Sequence, residues 1–200
     1  MRLFNEKTLV LATHNMGKIE ELTRLFQKYP LNIKSSKDFN LSEPIETENT
    51  FKGNAQIKAH FAAKNTGLPS LSDDSGIEVM VLNGAPGVFT ADWAITDKGR
   101  NFKNAMAKLW SAIEDTNSSE PYRAQFCCTL VMAWPDGHEE SFEGIIKGEI
   151  VWPIRGVNGH GFDPMFKPDG YNETFGEMDR WEKNKISHRG LAFTKLIKNC

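Results

Sequence analysis

The sequence is short of cysteine, lacks a strong excess of either charge, and holds no repeat, low-complexity tract or long apolar run. Its 200 residues include three cysteines, an odd number, in no spacing that reads as a disulfide framework or a zinc site. Cys127 and Cys128 are adjacent in an expected strand, so their side chains should point to opposite faces. No cofactor motif accompanies them, which disfavours a redox role and favours reduced thiols in a cytoplasmic protein. No apolar stretch approaches the ~20 residues that span a bilayer, so no membrane partner is expected. The apolar segment at residues 9–12 is too short for a secretory leader. Lysine and arginine (24) nearly balance aspartate and glutamate (26), a net charge of -2. That leaves no basic footprint, so nucleic acid is not an expected partner. An anionic ligand would have to be held by a few placed cations rather than by a bulk field.

What is present fits one domain over residues 1–200 with a full hydrophobic core. Turn signals and periodicity predict a strand over 7–13 and a helix over 17–29, with Ile19, Leu22, Phe26 and Tyr29 on one face and Pro30 as its stop. A weak strand over 32–36 and an acidic loop over 42–49 follow. A helix over 50–65 carries Ala55, Ala59, Ala62 and Ala63 on one side, with Gly67 at its end. Strands are expected over 69–73 and 76–82, a loop over 83–87, and a helix over 97–114. A strand over 123–134 turns at Pro135-Asp136-Gly137 into a return over 138–144, and 147–153 continues the sheet. A loop rich in glycine and aromatics covers 156–169, and Ser187 reads as the N-cap of a last helix over 188–198. Strands and helices mix without strict alternation, which predicts an α/β fold with a mixed sheet.

Several stretches carry chemistry. "LATHNMGK" (residues 11–18) is a strand, a polar turn and a helix start with a lysine. Unpaired helical N–H groups and the positive end of the dipole suit a phosphate there, while an ordinary turn with a surface lysine explains the residues equally well. A Walker A loop is excluded, since Ala12 and Ile19 stand where it needs Gly and Ser or Thr. Lys58 falls beside the alanine face of its helix, where it either snorkels or reaches a buried phosphate. The adjacent carboxylates of "DDSG" sit at an expected strand end; with Glu46 they suit a hard divalent cation, and as a turn they suit nothing more than Asp, Ser and Gly usually do. Gly159-x-Gly161 is no dinucleotide fingerprint, because no helix follows, but Phe162 could stack a base. Lys183, His188 and Arg189 cluster at a helix N-terminus, where cations oppose the dipole and a ligand role gains weight.

Taken together, "LATHNMGK", "ENTFKGNAQIKA", "SDDSGIEV", "GAPGV", "GFDPMF" and "EKNKISHRG" resemble, in order and spacing, the inosine/xanthosine triphosphate pyrophosphatases. The resemblance runs from residue 9 to about 196. It implies an elongated mixed sheet with flanking helices, two lobes around a central active-site cleft, as in anticodon-binding-like α/β folds. It implies a cytoplasmic homodimer with one Mg²⁺ per subunit. The implied reaction splits ITP, dITP or XTP into the nucleoside monophosphate and pyrophosphate, which keeps deaminated purines out of DNA and RNA. Matched by motif, Thr13, His14, Asn15, Met16, Gly17 and Lys18 hold phosphates, with Lys58 nearby. Asp74 is the catalytic carboxylate and, with Glu46, a metal ligand. Ser75, His160, Gly161, Phe162, Asp163, Lys183, His188 and Arg189 line the substrate site. His14 departs from the family pattern, where glycine is common, and His160 from a position often small or aromatic.

This reading makes Asp74 the base for an attacking water and leaves Asp73 either in the metal shell or supporting the loop. His188 and Arg189 are donors suited to a purine 6-oxo group and mismatched to the 6-amino group of adenine. Maf-like pyrophosphatases, the runner-up, lack Asn15-x-Gly17-Lys18. A regulator without turnover would have no use for Asp74, Glu46, Lys18 and Lys183 together.

Overall fold

The structure, a computed structural model, describes residues 2–199. In chain order it forms β1 (Thr8–Leu11), α1 (Met16–Phe26), β2 (Asn32–Ser35), α2 (Phe51–Thr66) and β3 (Ser70–Val79). Then come β4 (Ile95–Thr96), β5 (Gly99–Arg100), α3 (Phe102–Glu114), β6 (Tyr122–Ala133) and β7 (Glu139–Ile150). The chain ends with β8 (Phe166–Pro168), α4 (Arg180–Ile186) and α5 (His188–Asn199). Six strands form one sheet in the order β2-β1-β3-β6-β7-β8. β1 runs parallel to β2 and β3, while β7 and β8 are antiparallel, so the sheet is mixed as expected. Among the described residues no helix is long and apolar enough to cross a membrane.

The chain divides into two compact units. The first runs to Asp74 and takes in Cys128–Gly144 and the residues from Arg189 on. Its sheet is covered on both faces, so β1 reads as continuous apolar sequence: Leu9, Val10 and Leu11 are all fully buried. The two-residue period of β6 sorts its side chains. Cys128, Leu130, Met132 and Trp134 join Leu9, Leu11, Leu22, Phe26 and Phe193 in one core. Val131 and Ala133, on the other face, meet Ala55, Ala59 and Ala63 of α2. Small side chains let α2 lie close to the sheet, and Ser72 Oγ donates to the Ala55 carbonyl at 2.5 Å. Gly67 ends α2 in the left-handed conformation at φ +69°, as its position suggested.

The second unit comprises Ser75–Cys127 and Ile145–His188. Its core gathers Ile77, Val79, Leu109, Ile113, Phe126, Phe166 and Phe175. The inner face of α3 is Ala105, Met106 and Leu109, as the periodicity predicts. Neither Cys127 nor Cys128 forms a disulfide, and the two thiols part to opposite faces of β6. Cys128 enters the apolar core of the first unit, while Cys127 Sγ lies 3.5 Å from Glu78 Oε2 in the second.

Several boundaries differ from expectation. The strands expected over 69–73 and 76–82 merge into β3, which passes through Gly76 without a break and ends at Val79, before a 3-10 turn over Met80–Leu82. Likewise the strands expected over 138–144 and 147–153 merge into β7, which ends at Ile150. Its Gly148 marks a close approach, since an added Cβ would lie 2.9 Å from Pro168 Cα on β8. Residues 97–100 belong to the β4–β5 hairpin, and Asn101 caps a shorter α3. The loop over 156–169 contains β8, and α4, capped by Asp179, was not foreseen.

Gly156 adopts φ +83°, and an added Cβ would run into the backbone of Gly176 and Glu177. Gly156→Ala should therefore destabilise the protein by roughly 2 kcal/mol or more, read as a lowered urea midpoint at unchanged m-value.

Candidate active site

The acidic pair lies within β3, and a strand sends successive side chains to opposite faces. Leu71 packs in the core with α1 and α5, and Asp73, two residues on, faces the same side. Ser72 bonds to α2, and Asp74 faces α2 as well. The repulsion between adjacent carboxylates is thus relieved first by geometry, because they point apart.

Asp73 is wholly buried. Its Oδ2 lies 3.1 Å from Lys18 Nζ and accepts from Arg189 Nη2 at 2.9 Å and Nε at 3.3 Å. Arg189 Nη1 donates to Glu21 Oε2 at 2.5 Å. Burial alone would raise the Asp73 pKa, but Lys18 and Arg189, with Lys58, outweigh it and hold the carboxyl far below the usual range. Asp73, for which a place in the metal shell and support of the loop were both open, is engaged by Lys18 and Arg189. Arg189, expected to face a purine base, has three nitrogens engaged with carboxylates. In this structure it holds Asp73 and Glu21 together.

On the other face, Lys58 Nζ lies 3.1 Å from Glu46 Oε1 and 3.4 Å from Asp74 Oδ1. Burial pushes the Asp74 carboxyl up, and the attraction of Lys58 and Lys18 does not fully offset it. Burial would lower Lys58, but Asp74, Asp73 and Glu46 raise it above its ordinary value. Four carboxylates, Glu21, Glu46, Asp73 and Asp74, meet three cations, Lys18, Lys58 and Arg189. Asp74 Oδ2 is buried with no hydrogen-bond partner among the described residues. A surplus negative charge and an unsatisfied hard oxygen suit a cation. No group of three or more His, Cys, Asp or Glu among the described residues is gathered to hold a metal by itself. Glu46 and Asp74 would therefore hold it with oxygens from water and a ligand, as Mg²⁺ prefers.

The turn before α1 is more self-contained than expected. Asn15 Oδ1 accepts from Gly17 N–H at 3.0 Å and Lys18 N–H at 3.3 Å, and Asn15 N–H donates to Thr13 Oγ1 at 3.2 Å. Two of the helical N–H groups read as open to phosphate are capped. Thr13 is buried, His14 Nε2–H donates to the Leu41 carbonyl at 2.8 Å, and Met16 is exposed with Sδ 3.2 Å from Lys37 Nζ.

In the second unit, Ser75 continues β3 and is half-buried. Asp163 Oδ2 accepts from Lys183 Nζ at 2.5 Å and from His160 N–H at 2.6 Å. Gly159 and Gly161 adopt φ +79° and +66°, which lets the loop close over that carboxylate. The His160 side chain is exposed. His188 stacks on Phe126, with centroids 4.8 Å apart and planes 12° off parallel. Phe162 does not offer a face to a base: it is 1% exposed, set edge-on to Phe102 in the core. An aromatic in a glycine loop read as a platform is a core side chain, because the loop folds inward.

Some residues of the site were not singled out. Glu21 stands three residues after Lys18, so helical spacing places both on one face, a signal that was available. Asn54 Oδ1 accepts from Glu48 N–H at 2.9 Å, and Gly53 admits Glu48 so closely that an added Cβ would lie 2.6 Å from its Cβ. These contacts hold the acidic loop beside Lys58 and left no mark in periodicity.

The sequence model of the Ham1 family matches residues 9–199. The chain is 58% identical over 199 residues to a dITP/XTP pyrophosphatase of Ruegeria pomeroyi, covering 100% of this chain and 98% of that protein. It is 47% identical over 211 residues to a dITP/XTP pyrophosphatase of Agrobacterium fabrum, covering 100% and 99%. Among solved structures, a HAM1 protein from Coxiella burnetii superposes with a TM-score of 0.89 at 35% identity, covering 96% of this chain and 98% of that one. The Staphylococcus aureus Ham1 protein superposes with a TM-score of 0.83 at 33% identity, covering 95% and 96%.

The Asp73 network sets a pH dependence. A carboxyl whose folded pKa is depressed contributes stability above its unfolded pKa, about 3.9, and that stability is lost as pH falls toward the folded value. Asp73→Asn should be less stable than wild type at pH 7, since Lys18 and Arg189 lose a buried counter-charge. Its stability should also fall less steeply between about pH 4 and pH 2. Urea midpoints across that range check both.

Proposed function

The chain belongs to the Ham1 family, and on that premise we propose that it hydrolyses deaminated purine nucleoside triphosphates, ITP, dITP and XTP, to the monophosphate and pyrophosphate. The observation that carries the reading is Asp74: a buried carboxylate with an oxygen to spare, set against Lys58, with Glu46 across that lysine. The names of the relatives from Ruegeria pomeroyi and Agrobacterium fabrum support the substrate class.

Asp74 orients a water toward the α-phosphate and accepts its proton, a task for which burial raises its affinity in the right direction. Lys58 neutralises charge that develops on the phosphate oxygens, and Lys18, whose field also reaches Asp74, adds to it. Glu46 and Asp74 fit Mg²⁺, one per subunit, which when bound would supply charge neutralisation for the departing pyrophosphate. Arg189 and Glu21 act at one remove, by holding Asp73 and through it Lys18. Purine selection falls to donors for the 6-oxo group, with the His188 ring set by Phe126 and Lys183 set by Asp163. The reading includes a homodimer acting in the cytoplasm on free nucleotides, with removal of deaminated purines from the pools for DNA and RNA as its purpose.

The test is a panel of ITP, dITP, XTP, GTP and ATP with Mg²⁺ and product identification. Inosine monophosphate with intact pyrophosphate is expected from ITP. Inorganic phosphate with a nucleoside diphosphate would move the attack to the γ-phosphate and overturn the mechanism. Asp74→Asn should lose at least about a hundredfold in kcat while still binding ITP in equilibrium titration. Near-wild-type turnover would remove Asp74 from the role of base.

A further inference from the structure

Residues 41–50 form neither helix nor strand, and this mostly exposed stretch carries Glu46. A carboxylate on such a segment loses conformational freedom when it binds a cation, and any tether that restricts the segment beforehand lowers that loss. The far end is tethered: Thr50 caps α2, and Glu48 N–H donates to Asn54 Oδ1 at 2.9 Å. At the near end, Leu41 N–H donates to the Ser36 carbonyl at 3.1 Å, and the Leu41 side chain packs against the small core of Val10, Ala12 and Ala62. The Leu41 carbonyl accepts from His14 Nε2 at 2.8 Å. That bond joins the root of the acidic segment to the turn that leads into Lys18. A carbonyl can only accept, so Nε2–H is the donor.

We infer that His14 is a positioning residue: it straps the near root of the acidic segment to the β1–α1 turn, so that Glu46 is presented to a cation at Asp74 with less freedom to lose. The inference rests on the cation-binding role proposed for Glu46 and Asp74. It assigns His14 no contact with phosphate.

Three proteins decide it: wild type, His14→Ala and His14→Gln. A glutamine amide N–H falls near the position of Nε2 and should restore the bond. In the metal-free proteins, a Glu-specific protease with mass mapping should cut after Glu46 and Glu48 about three- to tenfold faster in His14→Ala, the loss of one hydrogen bond, with other sites unchanged. His14→Gln should return to the wild-type rate. In ITP hydrolysis, the Mg²⁺ activation constant of His14→Ala should rise about three- to tenfold, more than the KM for ITP at saturating Mg²⁺. Unchanged cutting in the segment, faster cutting throughout the chain, or a rise confined to the KM for ITP would each overturn the inference. If wild type fails to turn over ITP, the proposed function falls, and the protease comparison still decides whether His14 restrains the segment.

Discussion

A carboxylate sealed from water must be met by cations that cannot retreat, and Asp73 imposes that demand on everything around it. Lys18 comes from the first turn of α1 and Arg189 from the first turn of α5. A cation at either position opposes its helix dipole. Asp73 compensates both at once, and Glu21 takes up the remaining reach of Arg189. Such a network adds little net stability, since an apolar set of equal volume would often do as well, but loss of one partner leaves an uncompensated charge and costs about 3–5 kcal/mol. Its value lies in arrangement: two helices and a central strand have one mutual placement that satisfies it.

The same strand supplies a second environment one residue away. Asp73 is held ionised by Lys18 and Arg189, while Asp74 has a raised pKa because burial is only partly offset. Two like residues in sequence acquire unlike chemistry because the pleat turns them to different neighbours. A base needs proton affinity, and a structural anion needs the opposite. Separation by one peptide unit keeps the two environments rigidly related, and Lys18 and Lys58 act on both carboxylates.

How much of this was legible depends on whether the signal was local. The faces of α1 and α3, the alanine face of α2, and Gly67 as its stop follow from spacing and caps, and they stand in the fold. Glycine misled at Gly76, expected to begin a separate strand, which β3 passes through without a break. Several motif residues meet in charged clusters, but which partner each one finds left no local mark in the sequence. Whether Arg189 meets a base or a carboxylate depends on a residue 116 positions away, a separation no periodicity reports. Phe162 illustrates the converse: glycine neighbours suggested an exposed ring, while the positive φ angles of Gly159 and Gly161 fold the loop so that the ring becomes core.

The parting of Cys127 and Cys128 across β6 bears on the chemical durability of the molecule. Thiols react with oxidants and alkylating agents as thiolates. Burial pushes the Cys128 thiol far up, so the reactive form is scarce, and Cys127 is likewise shielded from solvent. Opposite orientations also deny the pair a shared bond across adjacent residues. The conditions that damage purines, oxidative and nitrosative stress, are those that attack accessible sulfur. In this protein the two thiols of β6 are buried, and the cluster of Asp74, Lys58 and Glu46 presents oxygen and nitrogen alone.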